Sequence, residues 1–154
     1  MGAEPRTVGF GRLGLTIGGN GGVPPAAYSL GNIYGGVPLQ EKRQPDAVVI
    51  NLGTNDARAQ PKPFAVLYQA YLEAVRGLYP RAHIFCLRPF NGSQGEAVRE
   101  AALALEHAGD GRVHYVDTAG WIDKDKHTTD GVHLNLEGNH VAGEKMAAIL
   151  KENK

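Results

Sequence analysis

Two short segments carry residue types able to perform acyl-transfer chemistry. In Asp130-Gly131-Val132-His133 a carboxylate stands three residues before an imidazole. On a turn that enters a helix, such a carboxylate can accept the Nδ1 proton, fix the ring tautomer and leave Nε2 as a general base. In Gly53-Thr54-Asn55-Asp56 the Asn55 carboxamide offers N–H groups to a developing oxyanion, and the Gly11 amide offers a second donor. Taken singly, each has a plainer explanation: Asp-x-x-His and a post-strand Asn are ordinary turn formers. At the ends of consecutive strands they add up to a site.

The elements that must position these residues follow from the pattern. Thr7–Phe10 reads as a short strand leading to Gly11-Arg12. From Gly11 to Gly36 the run Gly18-Gly19-Asn20-Gly21-Gly22 and the pair Pro24-Pro25 rule out regular structure, and a loop this long is usually functional. Ala47-Val48-Val49-Ile50-Asn51-Leu52 is a continuous apolar, β-branched run, the mark of a strand buried on both faces of a parallel sheet. A helix is expected from about Pro63 to Leu78, striped by Phe64, Leu67, Tyr71, Val75 and Leu78. His83–Leu87 is the next strand, and Ser93-Gln94-Gly95-Glu96 opens a second helix with a capping-box pattern. Arg112–Val116 is a further strand, and Leu136–Lys151 a last helix with Ala142, Met146, Ile149 and Leu150 inward. Strands alternating with helices predict a parallel α/β sheet covered on both faces, with the site at the carboxyl ends of its strands.

Composition narrows the function. The 154 residues predict one domain, 1–154, with no repeat or linker. Sixteen basic residues balance sixteen acidic ones, so no field steers nucleic acid or an anionic membrane. No apolar run approaches the roughly 20 residues of a membrane span. The single cysteine, Cys86, sits in an apolar strand and excludes an internal disulfide or a cysteine-rich zinc site. Of 21 glycines, those between Gly2 and Gly36 account for the excess over average usage. The polar opening Met1-Gly2-Ala3-Glu4-Pro5-Arg6 lacks a secretory pattern, which makes a cytoplasmic location the default expectation.

The segments Val49–Asp56 and Asp130–His133 resemble blocks III and V of the SGNH (GDSL) hydrolases, and Val8-Gly9-Phe10-Gly11 resembles block II. The resemblance runs along essentially the whole chain in order. It implies a three-layer α/β/α, flavodoxin-like fold and a Ser-His-Asp esterase without metal or organic cofactor. In that reading Gly11 and Asn55 are oxyanion donors, His133 is the general base and Asp130 orients it. The long Gly/Pro-rich loop is most like the carbohydrate or small-ester acetyl esterases, so short acyl esters, acetylated carbohydrate included, are the expected substrates. Thr54, Arg88 and Asn91, by position at strand ends, would line the substrate mouth.

One departure matters. The family's nucleophile is the serine of a Gly-Asp-Ser motif after a first strand, and that block is absent. The nucleophile is therefore unknown. Only Ser29 and Ser93 exist. Ser29 has no strand–turn–helix context, and Ser93 is explained by helix capping. A fold lacking its first strand and helix would expose sheet edge, so a second copy or a complementing N-terminal segment is the expected partner. The alternative is a catalytically dead ligand-binding relic.

Rival motifs fail on context. Gly9-Phe10-Gly11-Arg12-Leu13-Gly14 fits G-x-G-x-x-G, but no helix follows and the next acid is Glu41. Asp123-Lys124-Asp125-Lys126-His127 begins like a calcium loop, yet Thr128 and Leu134 stand where glycine and glutamate are needed, leaving a solvated charged turn. His83, His107, His114 and His140 lack ligand spacing.

Overall fold

A computed structural model describes residues 4–28 and 44–153. Contacts divide the chain into two units, Gly9–Asp117 and Thr118–Lys154 with Met1–Val8.

The first unit holds β1 (Ala47–Ile50), α1 (Pro61–Leu78), β2 (His83–Leu87), α2 (Gly95–His107) and β3 (Val113–Val116). The strands form a parallel sheet in the order β1-β2-β3, with Ile50 opposite Cys86 and Ile84 opposite Val113. Pairing in chain order through helical crossovers is the expected α/β arrangement. Alternation along the strands puts Ile50, Ile84, Cys86 and Val113 on one face, where they join Phe64, Tyr68, Leu72 and Val75 of α1 and Val98, Ala101 and Leu105 of α2 in one core. Both helices thus pack on the same face and against each other. On the opposite face Phe85 is buried and stacks on His83 and His114. Cys86 is fully buried, as its apolar strand implies, and burial pushes its thiol up to about 12.

Helix α1 begins at Pro61, two residues earlier than expected, because both Pro61 and Pro63 fit a first turn whose amides need no partner. Two expectations are corrected. Thr7–Phe10 is not a strand. Among the described residues β1 has no neighbour on its outer edge, and a four-residue segment with no ladder to join gains too little to stay extended. Ser93 does not cap α2: the N-cap is Gln94, in the left-handed region at φ 57°, and no side chain caps the helix. The Ser93 amide instead donates to Asn91 Oδ1 at 3.1 Å, an Asx turn that replaces the capping box.

The second unit carries α3 (Lys124–His127) and α4 (Leu136–Glu152). The charged turn expected at 123–127 is this short helix, capped by Asp123 accepting from the Asp125 amide at 3.0 Å. Helix α4 starts where the apolar spacing predicts, with Asn135 accepting from the Gly138 amide at 2.9 Å. Of its residues only Gly138 is buried; Met146, Ile149 and Leu150 are half-buried and Leu136 is 88% exposed. No helix among the described residues is long and apolar enough to cross a membrane.

Candidate active site

The turn that follows β1 is built around Gly53. Its φ of +126° is open to glycine alone, and a Cβ there would lie 3.0 Å from Pro89 Cγ. This lets the chain reverse tightly, so that Asn55 and Asp56 both reach the Gly11–Thr16 loop. Asn55 Nδ2 donates to the Leu13 carbonyl at 2.8 Å, which occupies one of its two N–H groups and leaves the other for a ligand. Gly11 lies two residues before Leu13, in a turn closed by Leu13 N–H donating to Phe10 O at 3.1 Å. The Gly11 carbonyl accepts from the Asn20 amide at 2.8 Å, and among the described residues its own N–H pairs with no acceptor. A Cβ on Gly11 would lie 2.9 Å from Asn20 Nδ2, so glycine leaves room for that carboxamide. Arg12, beside it, holds a φ of +65°, a conformation that a side chain adopts at some cost.

The loop is tied down by a residue that sequence reasoning missed. Asp56 is fully buried, and its carboxylate accepts from Leu15 N (2.9 Å), Thr16 N (2.7 Å) and Thr16 Oγ1 (2.6 Å). Gly14 passes so close that a Cβ would sit 2.6 Å from one carboxylate oxygen. Gln94 braces the other side of the same turn, donating from Nε2 to Asp56 O at 2.9 Å and to Ala59 O at 2.8 Å. The usable signal was the adjacency of Asp56 to Asn55 at this strand end.

The proposed substrate residues sit around that turn. Thr54 is half-buried on it. Arg88 follows β2 directly, its side chain lying over Gly92 and Gly95 with Nε 3.9 Å from Asp117. Asn91 is exposed and engaged in the Asx turn with Ser93. Ser93 is half-buried there, and Ser29 lies outside the described residues.

The second unit holds the other pair. Asp130 Oδ2 lies 2.6 Å from His133 Nδ1, while Oδ1 accepts from the His133 amide at 2.8 Å and the Val132 amide at 3.0 Å. Those backbone and ring donors favour the ionised carboxylate and hold Asp130 down at about 2. A carboxylate on Nδ1 assigns that nitrogen the ring proton and leaves the Nε2 lone pair outward on a ring that is 79% exposed. Gly131, at φ +84°, makes the turn, and its amide donates to Thr128 Oγ1 at 2.8 Å. The hairpin closes with Thr129 N–H on His133 O at 2.9 Å and a bridge between Thr128 and Leu134. The structure thus brings Gly11 and Asn55 to one loop pair and Asp130 and His133 to one turn, each pair within its own unit. No group of three His, Cys, Asp or Glu side chains among the described residues could hold a metal ion.

Known proteins are similar to this chain in sequence and fold. Residues 7–141 match the GDSL-like lipase/acylhydrolase family. The cellulase/esterase CelE of Acetivibrio thermocellus is 29% identical over 166 aligned residues, covering 98% of this chain and 20% of that protein. Two structures of a family two carbohydrate esterase from Clostridium thermocellum are 28% identical. One, an active-site mutant, superposes with a TM-score of 0.73 over 91% of this chain and 46% of the other. The second, in complex with cellohexaose, gives 0.72 over 92% and 47%. The salicylyl-acyltransferase SsfX3 from a tetracycline biosynthetic pathway, 21% identical with a TM-score of 0.52 over 70% of this chain and 38% of its own, shares the fold. The chain spans less than half the length of each of these relatives. Parallel α/β sheet, post-strand Gly-x-Asn-Asp turn and Asp-x-x-His couple lie inside the matched span, and the chain belongs to the GDSL-like lipase/acylhydrolase family.

Proposed function

We infer that residues 1–154 act as one domain of an ester hydrolase whose substrates are short acyl esters, acetylated carbohydrate among them. The observation that carries this is the Asp130–His133 couple at 2.6 Å, which leaves Nε2 basic and outward. His133 Nε2 takes the proton of a nucleophilic hydroxyl as that oxygen attacks the ester carbonyl. The Gly11 amide and the second Asn55 N–H receive the tetrahedral oxyanion, each worth roughly 3 kcal/mol of barrier. His133 then returns the proton to the leaving alcohol, and water releases the acid by the same steps. Thr54, Arg88 and Asn91, by position at strand ends, line the substrate mouth. The names of the carbohydrate-esterase relatives support the sugar-ester assignment.

Neither serine of this chain has a nucleophile's setting by sequence, so the reading places the hydroxyl on a complementing N-terminal segment that pairs with the outer edge of β1, which has no neighbour among the described residues. The same absence favours a second reading, a non-catalytic domain that binds acylated sugars. Fluorophosphonate labelling with p-nitrophenyl acetate hydrolysis, run with the pairing segment present, separates the two. An adduct and turnover that both vanish in His133→Ala establish the hydrolase; no adduct, with retained binding of acetylated cello-oligosaccharide, establishes the binding domain.

A further inference from the structure

Asn55 and Asp56 are consecutive residues that grip the same loop at different points. Asn55 holds Leu13 through its carboxamide, and Asp56 holds Leu15 and Thr16 through a carboxylate with no solvent exposure. The three donors reach two oxygens, and Gly14 leaves no space for the loop to slide past the carboxylate. A buried carboxylate bound to two backbone amides has one stable position for those amides. The loop's register is therefore set from the β1 turn, and with it the separation between the Gly11 N–H and the Asn55 N–H. We propose that Asp56 is a positioning residue, a clamp that holds the two oxyanion donors at a common centre without touching substrate. This rests on the assignment of Gly11 and Asn55 as oxyanion donors. The loop itself brings a cost that the clamp offsets: Arg12 sits in the left-handed region one residue from Gly11, a place where an untethered loop would relax.

The test compares the ¹⁵N-labelled chain with Asp56→Asn and Thr16→Val. Thr16 is exposed, and its variant removes only the hydroxyl donor, so it keeps the test decisive if Asp56→Asn fails to fold. The clamp predicts moved resonances for the Gly11 amide and the Asn55 carboxamide in both variants. Exchange of the Leu15 and Thr16 amides in Asp56→Asn should be about tenfold faster, the loss expected for a charge-assisted hydrogen bond. Core signals of Ile84 and Val98 stay in place. In p-nitrophenyl acetate turnover with the hydroxyl-bearing segment present, Asp56→Asn lowers kcat about tenfold with KM within about twofold, as misplacement rather than lost binding requires. Gly11 and Asn55 signals unmoved in both variants overturn the clamp. Shifted signals with unchanged kcat overturn its positioning role, provided Asn55→Ala abolishes turnover. Turnover indifferent to Asn55→Ala overturns the oxyanion assignment beneath it.

Discussion

The Asp130 carboxylate binds the ring and the backbone of His133 at once, Oδ2 on Nδ1 at 2.6 Å and Oδ1 on the amide at 2.8 Å. One side chain thereby sets both the tautomer of the imidazole and the turn that presents it. Replacing Asp130 by Asn puts an N–H donor within reach of Nδ1 and disfavours the required tautomer. Ester turnover should drop by roughly 10²-fold or more with KM little changed, read from initial rates at neutral pH.

The pH dependence of that turn has a definite sign. The folded carboxyl titrates at about 2, below its ordinary value, so the hairpin gains stability from Asp130 at every pH above about 4. That contribution disappears as pH falls from about 4 through about 2. Carboxyl ¹³C shifts of Asp130 should show a midpoint near 2, moving up toward 4 in His133→Ala.

Gly53→Ala should weaken the first unit. A Cβ meets Pro89 Cγ at 3.0 Å and Gln94 Cβ at 3.4 Å, on a backbone at φ +126° that side chains rarely adopt. A loss of about 1–3 kcal/mol in urea unfolding is expected, with faster exchange at the 53–59 turn.

Gly138→Ala acts on the second unit. The added methyl falls on the His127 carbonyl oxygen, which already accepts from the Asn135 amide at 3.0 Å. Separation of α3 from α4 should loosen the hairpin between them, read as lost protection at Asn135 and broadened His133 signals. Gly143→Ala, where a Cβ meets nothing within 4 Å, should leave both intact.

His83 and His114 stack with Nδ1 of the first 2.9 Å from Nε2 of the second. Burial, then the neighbouring His83, lowers His114 from its ordinary value, against smaller opposing effects of Glu106 and Asp110. The neutral form of His114 is therefore favoured in the folded chain. Its contribution is complete above about pH 6.5 and declines as pH falls through the lowered value, because the unfolded chain binds more protons there. His114→Phe should flatten the stability profile between about pH 7 and 5, measured by urea midpoints across that range.

Much of this architecture was legible because buried strands and amphipathic helices write their periodicity directly into sequence. His83–Leu87 obeys it, as do Phe64, Val75 and the Asn135 boundary of α4, whereas Val49, in a run expected to be buried on both faces, is 43% exposed. The misreadings have two causes, a missing ladder in one case and a competing local turn in the other. Thr7–Phe10 has strand-like residues but no adjacent ladder, and Ser93 loses its cap position to an Asx turn with Asn91. Asp56 was passed over because carboxylates are ordinarily solvated. Its burial depends on amides some forty residues earlier in the chain, a relationship that no local pattern records.

Cys86 lies at 0% exposure in the middle strand, its thiol held protonated to about 12. A thiol in that state does not react with disulfide reagents until the sheet itself opens. The lone thiol is consequently a built-in clock for global opening: its modification rate under native conditions reports the free energy of unfolding without any engineered label, and cysteines introduced elsewhere on the surface can be tagged selectively beside it.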